Sequence, residues 1–120
     1  MIKLMIVDDS NTIRRRIERL VNLNDVSVVA TAGNGLEAVR MFKKHQPDAV
    51  TMDITMPHMD GIQCVEALLR LRADTRILVI SALADKATAL EAIKKGANGF
   101  LCKPFNEDEL NEALQELLED

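Results

Sequence analysis

Three aspartates follow apolar segments, at positions where carboxylates can do chemistry. Asp8 and Asp9 come directly after Leu4-Met5-Ile6-Val7, and Asp53 comes directly after Ala49-Val50-Thr51-Met52. If these segments are strands of a parallel sheet, their carboxyl ends line the ligand crevice. Three like charges crowded together cost free energy unless a cation or a proton relieves the repulsion. The sequence therefore predicts a hard divalent cation, Mg²⁺, or a shifted pKa at this cluster.

Composition limits the remaining choices. The chain has 120 residues, of which 48% are hydrophobic, so we expect one domain over residues 1–120 and no effector domain. Cys64 and Cys102 lack metal-ligand spacing, which is typical of reduced packing residues rather than a disulfide. The sequence has neither a signal-peptide core nor an apolar stretch long enough to cross a bilayer. We therefore expect a cytoplasmic protein that does not bind a membrane.

Charge is distributed unevenly along the chain. Seven of the 19 acidic residues lie in 106–120, where there is no Lys or Arg, so the rest carries 12 acidic and 15 basic residues. Such asymmetry concerns the choice of partner more than the fold. Nucleic acid is not favoured as a partner, because a phosphate backbone requires a basic stripe.

Five short apolar runs alternate with five helical patterns. Most runs are continuously apolar, which is typical of strands buried on both faces of a parallel sheet. Apolar residues three or four apart mark one face of each helix, and on the fourth helix these are Ala89, Leu90 and Ile93. Asn106 with Glu109 predicts a capping box at the fifth helix, and Gly96 a stop after the fourth. The predicted strands are 3–7, 26–31, 48–52, 76–81 and 98–102.

These elements predict how the sheet is ordered. Right-handed crossovers require the chain to reverse its winding once if helices are to cover both faces. The usual five-stranded solution is the order 2-1-3-4-5. We predict an α/β fold of this order, a flavodoxin-like, doubly wound (βα)5 three-layer sandwich with a parallel sheet. Strands 1 and 3 are then neighbours, so Asp8, Asp9 and Asp53 converge.

Two further strand ends lie at the same rim, because Ser81 closes the fourth predicted strand and Lys103 directly follows the fifth. Four sequence blocks at these strand ends resemble those of response-regulator receiver domains, in particular single-domain chemotaxis-type receivers. The resemblance covers essentially the whole chain. The blocks are Val7-Asp8-Asp9-Ser10, Met52-Asp53-Ile54-Thr55-Met56-Pro57-His58-Met59-Asp60-Gly61, Ile80-Ser81-Ala82 and Lys103-Pro104-Phe105.

The resemblance implies a role for each residue of the rim. Asp53 matches the phosphoacceptor of a two-component system, which takes a phosphoryl group from a histidine kinase or phosphotransfer domain. Asp9 and Asp53 would bind Mg²⁺ through their side chains and Thr55 through its backbone carbonyl, while Asp8 would act mostly through water. Lys103 and Ser81 would contact phosphoryl oxygens. The resemblance also implies a cis peptide bond between Lys103 and Pro104. Such a protein is not a conventional enzyme, although it catalyses its own phosphorylation and autodephosphorylation.

The resemblance also implies a switch. When Ser81 moves toward the phosphoryl group, the ring of Phe100 would turn inward, and a downstream protein would dock on the fourth helix, fifth strand and fifth helix. We expect a monomer that acts as a chemotaxis messenger in flagellar rotation. The alternative is a single-domain phosphorelay intermediate or phosphate sink that does not bind the flagellar motor. The all-acidic fifth helix argues against strong binding to an acidic flagellar segment.

Simpler interpretations apply to residues taken singly. An aspartate after a strand, such as Asp9 or Asp60, is often a helix cap. An aromatic residue in a strand, such as Phe100, often does no more than pack in the hydrophobic core. A helical run of four arginines is either a docking face for an acidic kinase or phosphotransfer helix, or a solvated face. These arginines are Arg14, Arg15, Arg16 and Arg19.

Other classes with a similar fold or chemistry fit less well. A flavodoxin needs a Ser/Thr/Gly-rich loop after strand 1 and aromatic walls, and this chain has neither Trp nor Tyr. A haloacid-dehalogenase-type phosphatase typically has a second Asp two residues beyond the nucleophile, where this chain has Thr55. Glycine-rich dinucleotide loops and Walker lysine loops are absent from the sequence. The receiver interpretation is therefore the one that the residues favour.

Overall fold

The protein alternates strands and helices along its whole length. The computed structural model describes residues 1–54 and 60–119, and its strands are Ile2–Val7 (β1), Val26–Ala32 (β2), Ala49–Asp53 (β3), Arg76–Ala82 (β4) and Gly99–Lys103 (β5). The helices are Asn11–Leu20 (α1), Gly35–His45 (α2), Gly61–Leu71 (α3), Lys86–Lys94 (α4) and Glu107–Leu118 (α5), with a short 3-10 helix at Leu83–Asp85.

The five strands form one parallel sheet in the order β2-β1-β3-β4-β5, as the sequence predicts. Successive side chains of a strand point to opposite faces. On β1, Leu4 and Ile6 pack into a core shared with α1 and α5, whereas Met5 and Val7 pack into a second core against α2, α3 and α4. Both faces of the strand are thus buried, which explains why the apolar runs are continuous.

Two strands begin one residue later than predicted, because side chains take over the hydrogen bonds at their ends. The carboxylate of Asp48 accepts a hydrogen bond from the backbone nitrogen of Lys3 at 2.9 Å. Likewise, Oδ1 of Asn98 accepts from the backbone nitrogen of Ile77 at 2.8 Å. At its other end, β3 includes Asp53, which pairs with Ile80 of β4, rather than ending before it.

Helix ends follow the sequence signals. Asn106 and Glu109 form the expected capping box on α5. Asp60 forms a second capping box with Gln63 at the start of α3, so its carboxylate serves as a helix cap. After α4, Gly96 adopts a φ of 120°, a conformation that favours glycine.

The predicted apolar face of α4 is wrong in part. Ala89 is buried as expected, but the second buried residue is Ala92, while Leu90 and Ile93 are 55% and 36% exposed. The small side chains of Ala89 and Ala92 let α4 pack close to the sheet. With these two residues facing the sheet, the larger Leu90 and Ile93 face solvent. The helix therefore presents apolar side chains beside the exposed Lys94 and Lys95.

The interface between α1 and α5 contains a buried polar side chain. The amide nitrogen of Asn111 donates to the carbonyl oxygens of Leu20 and Glu107, both at 2.8 Å. Its amide oxygen accepts from the backbone nitrogen of Asn22 at 3.0 Å. Asn111 thus ties the end of α1 to the first turns of α5.

A group of charges lies at the amino-terminal edge of the sheet. The guanidinium of Arg72 pairs with Asp48 at 3.2 Å and with Asp74 at 2.9 Å. The pKa of Asp48 is lowered, chiefly by the hydrogen bond from Lys3 and further by Arg72, although burial opposes both. In the interior, burial raises the pKa of the Cys64 thiol to about 12. Across residues 1–54 and 60–119, every helix is too short or too polar to span a bilayer.

Candidate functional site

The three aspartates singled out in the sequence meet at the carboxyl edge of the sheet. One carboxylate oxygen from each of Asp8, Asp9 and Asp53 lies within 4.8 Å of the others. β1 and β3 are paired neighbours, with Val7 opposite Met52, which brings the ends of both strands to the same place. Asp8 and Asp53 are 1% and 5% exposed, whereas Asp9 is exposed. The cluster therefore opens to solvent on the side of Asp9.

Lys103 extends to this cluster from the edge strand β5. Its Nζ lies 3.4 Å from Oδ2 of Asp8 and 3.8 Å from Oδ1 of Asp53. The peptide bond between Lys103 and Pro104 is cis, as the resemblance implies. One ammonium group lies beside a cluster of three carboxylates, so the formal net charge of the four side chains is −2. This excess of hard oxygen ligands suits a divalent cation such as Mg²⁺.

Ser81 supplies a hydroxyl at the same rim. In β4 it follows Ile80, which pairs with Asp53, and Ser81 itself pairs with Cys102 beside Lys103. The side chain is 2% exposed, and within the described residues its Oγ has no hydrogen-bond partner. An unpaired buried hydroxyl is costly unless something uses it. Ser81 can therefore donate to an anion that enters the site.

Phe100 lies on β5, three residues before Lys103. Its ring is half-buried and packs against the core shared with α2, α3 and α4. It pairs with Val79 of β4, two residues before Ser81. The ring thus contacts the core while part of it reaches the surface.

Thr55, whose backbone carbonyl is a predicted Mg²⁺ ligand, lies outside the described residues. Its neighbour Ile54 is described, and Gly61 packs directly on it. The backbone nitrogen of Gly61 donates to the carbonyl oxygen of Ile54 at 3.1 Å. A Cβ added at Gly61 would lie 2.2 Å from Cα of Ile54 and 2.8 Å from the carbonyl oxygen of Asp53. The start of α3 therefore fits against the end of β3 only because residue 61 has no side chain.

The segment between β1 and α1 is held by residues that the sequence analysis did not assign to the site. Ser10 caps α1 by accepting from the backbone nitrogen of Ile13, and its own backbone nitrogen donates to Asp8 Oδ1 at 2.9 Å. Nη1 of Arg14 donates to the carbonyl oxygen of Asp8 at 2.6 Å, and its Nη2 donates to Asn11. The role of Ser10 could have been predicted from the sequence, because a serine directly after the acidic pair is a typical cap at the start of a helix.

The structure divides the four arginines of α1 into two kinds. The side chains of Arg14 and Arg16 bond to backbone carbonyls, whereas those of Arg15 and Arg19 are exposed and make no hydrogen bond to the described residues. Nη2 of Arg16 donates to the carbonyl oxygen of Phe105 at 2.9 Å. Neither sequence interpretation of the run, as a docking face or as a solvated face, accounts for these two bonds.

Comparison with known proteins gives one family over nearly the whole chain. Residues 4–115 match the family described as the response regulator receiver domain. The chemotaxis protein CheY of Listeria monocytogenes is 43% identical over 115 residues, covering 96% of this chain and 97% of that protein. CheY of Bacillus subtilis is 41% identical over 116 residues, covering 97% of each.

Solved structures agree with the sequence matches. A chain from the crystal structure of the CheX–CheY complex with BeF3 and Mg²⁺ from Borrelia burgdorferi superposes with a TM-score of 0.91 at 30% identity, covering 99% of this chain and 90% of that one. The chemotaxis protein CheY4 of Vibrio cholerae gives a TM-score of 0.89 at 32% identity, covering 98% and 99%. The predicted fold class is thereby confirmed.

Proposed function

The chain belongs to the response regulator receiver domain family, and from this premise we propose that it carries a signal as a phosphoryl group on Asp53. Membership makes it a signalling protein of the two-component type rather than a conventional enzyme. The observation that carries the proposal is the position of Asp53, 5% exposed at the end of the central strand β3, with two further carboxylates beside it and Lys103 at 3.8 Å. A nucleophile in that position lies in a cluster that opens to solvent at the exposed Asp9, and Lys103 compensates part of the negative charge.

The proposed reaction is transfer from a phosphohistidine of a histidine kinase or phosphotransfer domain. A carboxylate oxygen of Asp53 attacks phosphorus, an O–P bond forms and the P–N bond breaks, with its electron pair staying on the imidazole nitrogen. The ammonium of Lys103 would pair with one phosphoryl oxygen, and Ser81 would donate a hydrogen bond to another. The Ser81 hydroxyl, which has no hydrogen-bond partner among the residues that the structure describes, supports this assignment.

We assign Mg²⁺ to the acidic cluster. Asp9 and Asp53 would hold it through their side chains, Thr55 through its backbone carbonyl, and Asp8 mostly through water. The fit rests on the oxygen ligands within 4.8 Å and on the net negative charge that Lys103 leaves uncompensated. When bound, Mg²⁺ would neutralise charge on the transferring phosphoryl group.

The output would be a change of surface. Movement of Ser81 toward the phosphoryl group would let Phe100 turn inward, and a downstream protein would dock on α4, β5 and α5. The half-buried ring and the exposed Leu90 and Ile93 support this, because they supply apolar area on that side of the molecule.

The relatives named chemotaxis protein CheY favour a chemotaxis messenger. A monomer in the cytoplasm is what the sequence leads us to propose. Exposed acids on α5, among them Glu109, Glu112 and Glu116, would repel an acidic flagellar-switch segment at low salt. This specific observation keeps a second candidate, a phosphorelay intermediate or phosphate sink that does not bind the motor. Submicromolar binding of a flagellar-switch peptide in the presence of beryllofluoride, a phosphoryl mimic, would decide for the messenger.

Intact-mass measurement after incubation with a small phosphodonor and Mg²⁺ tests the central proposal. We expect uptake of one phosphoryl group, and none in Asp53→Asn, because the amide is not a nucleophile. Asp25→Asn, an exposed aspartate at the other end of the sheet, is the matched control and should behave as wild type. Lys103→Ala should bind Mg²⁺ yet lose the conformational response. Uptake by Asp53→Asn at the wild-type rate would refute the mechanism.

A further inference from the structure

Arg16 joins α1 to the loop that carries Lys103. Its Nη2 donates to the carbonyl oxygen of Phe105 at 2.9 Å, and its guanidinium carbon lies 5.6 Å from the centre of the Phe105 ring. A charged donor makes a hydrogen bond roughly twice as strong as a neutral one, and the ring adds a cation–π contact. Phe105 is 5% exposed and packs in the core shared with α1 and α5.

The other end of α1 is fixed to the acidic cluster. Ser10 and Arg14 bind Asp8 through its carboxylate and its carbonyl oxygen, at 2.9 and 2.6 Å. One helix therefore contacts both the acids and the loop of Lys103. Because α1 is a continuous helix from Asn11 to Leu20, these two contacts are held at a fixed separation.

Lys103 needs such support, because its position depends on a short stretch of backbone. The β-ladder holds Lys103 itself through its pairing with Ala82, and α5 begins only after the cap at Asn106. Between these points, Arg16 is the α1 side chain that hydrogen-bonds to the loop, at the carbonyl oxygen of Phe105. The lysine side chain is long and flexible, so a small shift of its backbone changes which carboxylate it meets.

We propose that Arg16 is a positioning residue, which sets the distance of the Lys103 ammonium from the acidic cluster. Arg16 thereby determines how strongly Lys103 binds a phosphoryl oxygen. Arg16 does not touch the phosphoryl group itself. The inference rests on the proposed function, because it assumes that Lys103 binds a phosphoryl oxygen.

A double-mutant cycle tests it. The half-saturating concentration of beryllofluoride at fixed Mg²⁺ would be measured from backbone amide NMR shifts of β5, in wild type, Arg16→Gln, Lys103→Ala and the double variant. Misplacing a catalytic group by about 1 Å lowers a reaction rate by up to about a hundredfold. Arg16 controls only part of the position of Lys103, so we expect the half-saturating concentration of beryllofluoride to rise about fivefold to tenfold in Arg16→Gln. In the Lys103→Ala background the same change should have no further effect.

Controls separate positioning from general damage to the fold. Arg15→Gln removes the same charge from an exposed position of the same helix and should leave the affinity unchanged. Mg²⁺ would be kept saturating for every variant, because removing or moving the Lys103 ammonium changes the net charge of the acidic cluster and with it the Mg²⁺ affinity. Arg16→Lys, which keeps the charge, should restore part of the affinity and replaces Arg16→Gln in the cycle should that variant fail to fold.

Two results would overturn the inference. One is an equal weakening by Arg16→Gln in the wild-type protein and in Lys103→Ala, and the other is an unchanged affinity of Arg16→Gln when Lys103 is present. Phosphoryl uptake by Asp53→Asn would instead overturn the proposed function, so the two failures are distinguishable.

Discussion

Gly61→Ala gives two opposite expectations, and the structure decides between them. By helix propensity alone, alanine stabilises a helix by up to about 1 kcal/mol over glycine. Here, however, the new Cβ would lie 2.2 Å from Cα of Ile54. Carbon atoms in contact are at least about 3.5 Å apart, so the start of α3 and the end of β3 must separate by about 1.3 Å.

Both partners in this contact are backbone, so neither can move aside cheaply. Overpacking typically costs about 1–3 kcal/mol, and the hydrogen bond from Gly61 to Ile54 at 3.1 Å is stretched as well. We expect Gly61→Ala to lower the free energy of unfolding by about 3 kcal/mol, a large share of the roughly 5–15 kcal/mol of a typical domain. The displacement reaches Asp53, so Mg²⁺ affinity should fall with it.

Urea unfolding followed by far-ultraviolet circular dichroism measures the effect, since the chain has neither Trp nor Tyr for fluorescence. Gly33→Ala is the matched control: its Cβ would lie 3.1 Å from Nη1 of Arg14, the flexible end of a side chain. We expect that variant within about 1 kcal/mol of wild type. The reasoning fails if Gly61→Ala is as stable as the control or more stable than wild type.

Three further predictions concern residues away from that contact. Thr51 is fully buried, and within the described chain its hydroxyl has no hydrogen-bond partner; Thr51→Val should raise the free energy of unfolding by about 1 kcal/mol, and a lower value in urea unfolding would contradict this. Asp48→Asn should lower stability by about 0.5–1 kcal/mol at neutral pH, after allowing for solvent screening. Because the pKa of Asp48 is lower in the folded protein, its stabilisation is present above the ordinary carboxyl pKa and is lost as the pH falls through the lowered value. The free energies of unfolding of wild type and Asp48→Asn should therefore converge in acid. A difference that stays constant with pH would refute the stabilising role of the Asp48 carboxylate. Cys64, with a pKa of about 12, should resist iodoacetamide at pH values near neutral in the native protein and react after unfolding, as peptide mass mapping would show.

The sheet order and the acidic cluster could be predicted because both follow from regular patterns. Continuous apolar runs indicate buried parallel strands, and the residues after such strands share one edge. On this reasoning alone Asp8, Asp9 and Asp53 were expected together, and the structure brings them together. Their chemical roles are still predictions.

Other features depend on contacts that no local pattern reveals. The spacing of Arg16 places it on a face of α1, but its partner, the carbonyl of Phe105, lies 89 residues away in the sequence. The orientation of α4 follows from the close packing of Ala89 and Ala92, which are small enough to be overlooked beside Leu90 and Ile93. Apolar periodicity weights large side chains, whereas close helix–sheet packing can favour small ones.

The buried Asn111 restricts how this sequence can vary. An amide whose oxygen and nitrogen are both bonded, here to Asn22, Leu20 and Glu107, fits one alignment of α1 with α5. A leucine would add apolar contact but would accept neighbouring alignments about equally, while leaving the backbone groups of α1 unpaired. All three partners are backbone groups, which any residue other than proline at position 22 supplies, so the restriction falls on Asn111 itself rather than on the side chains at the end of α1.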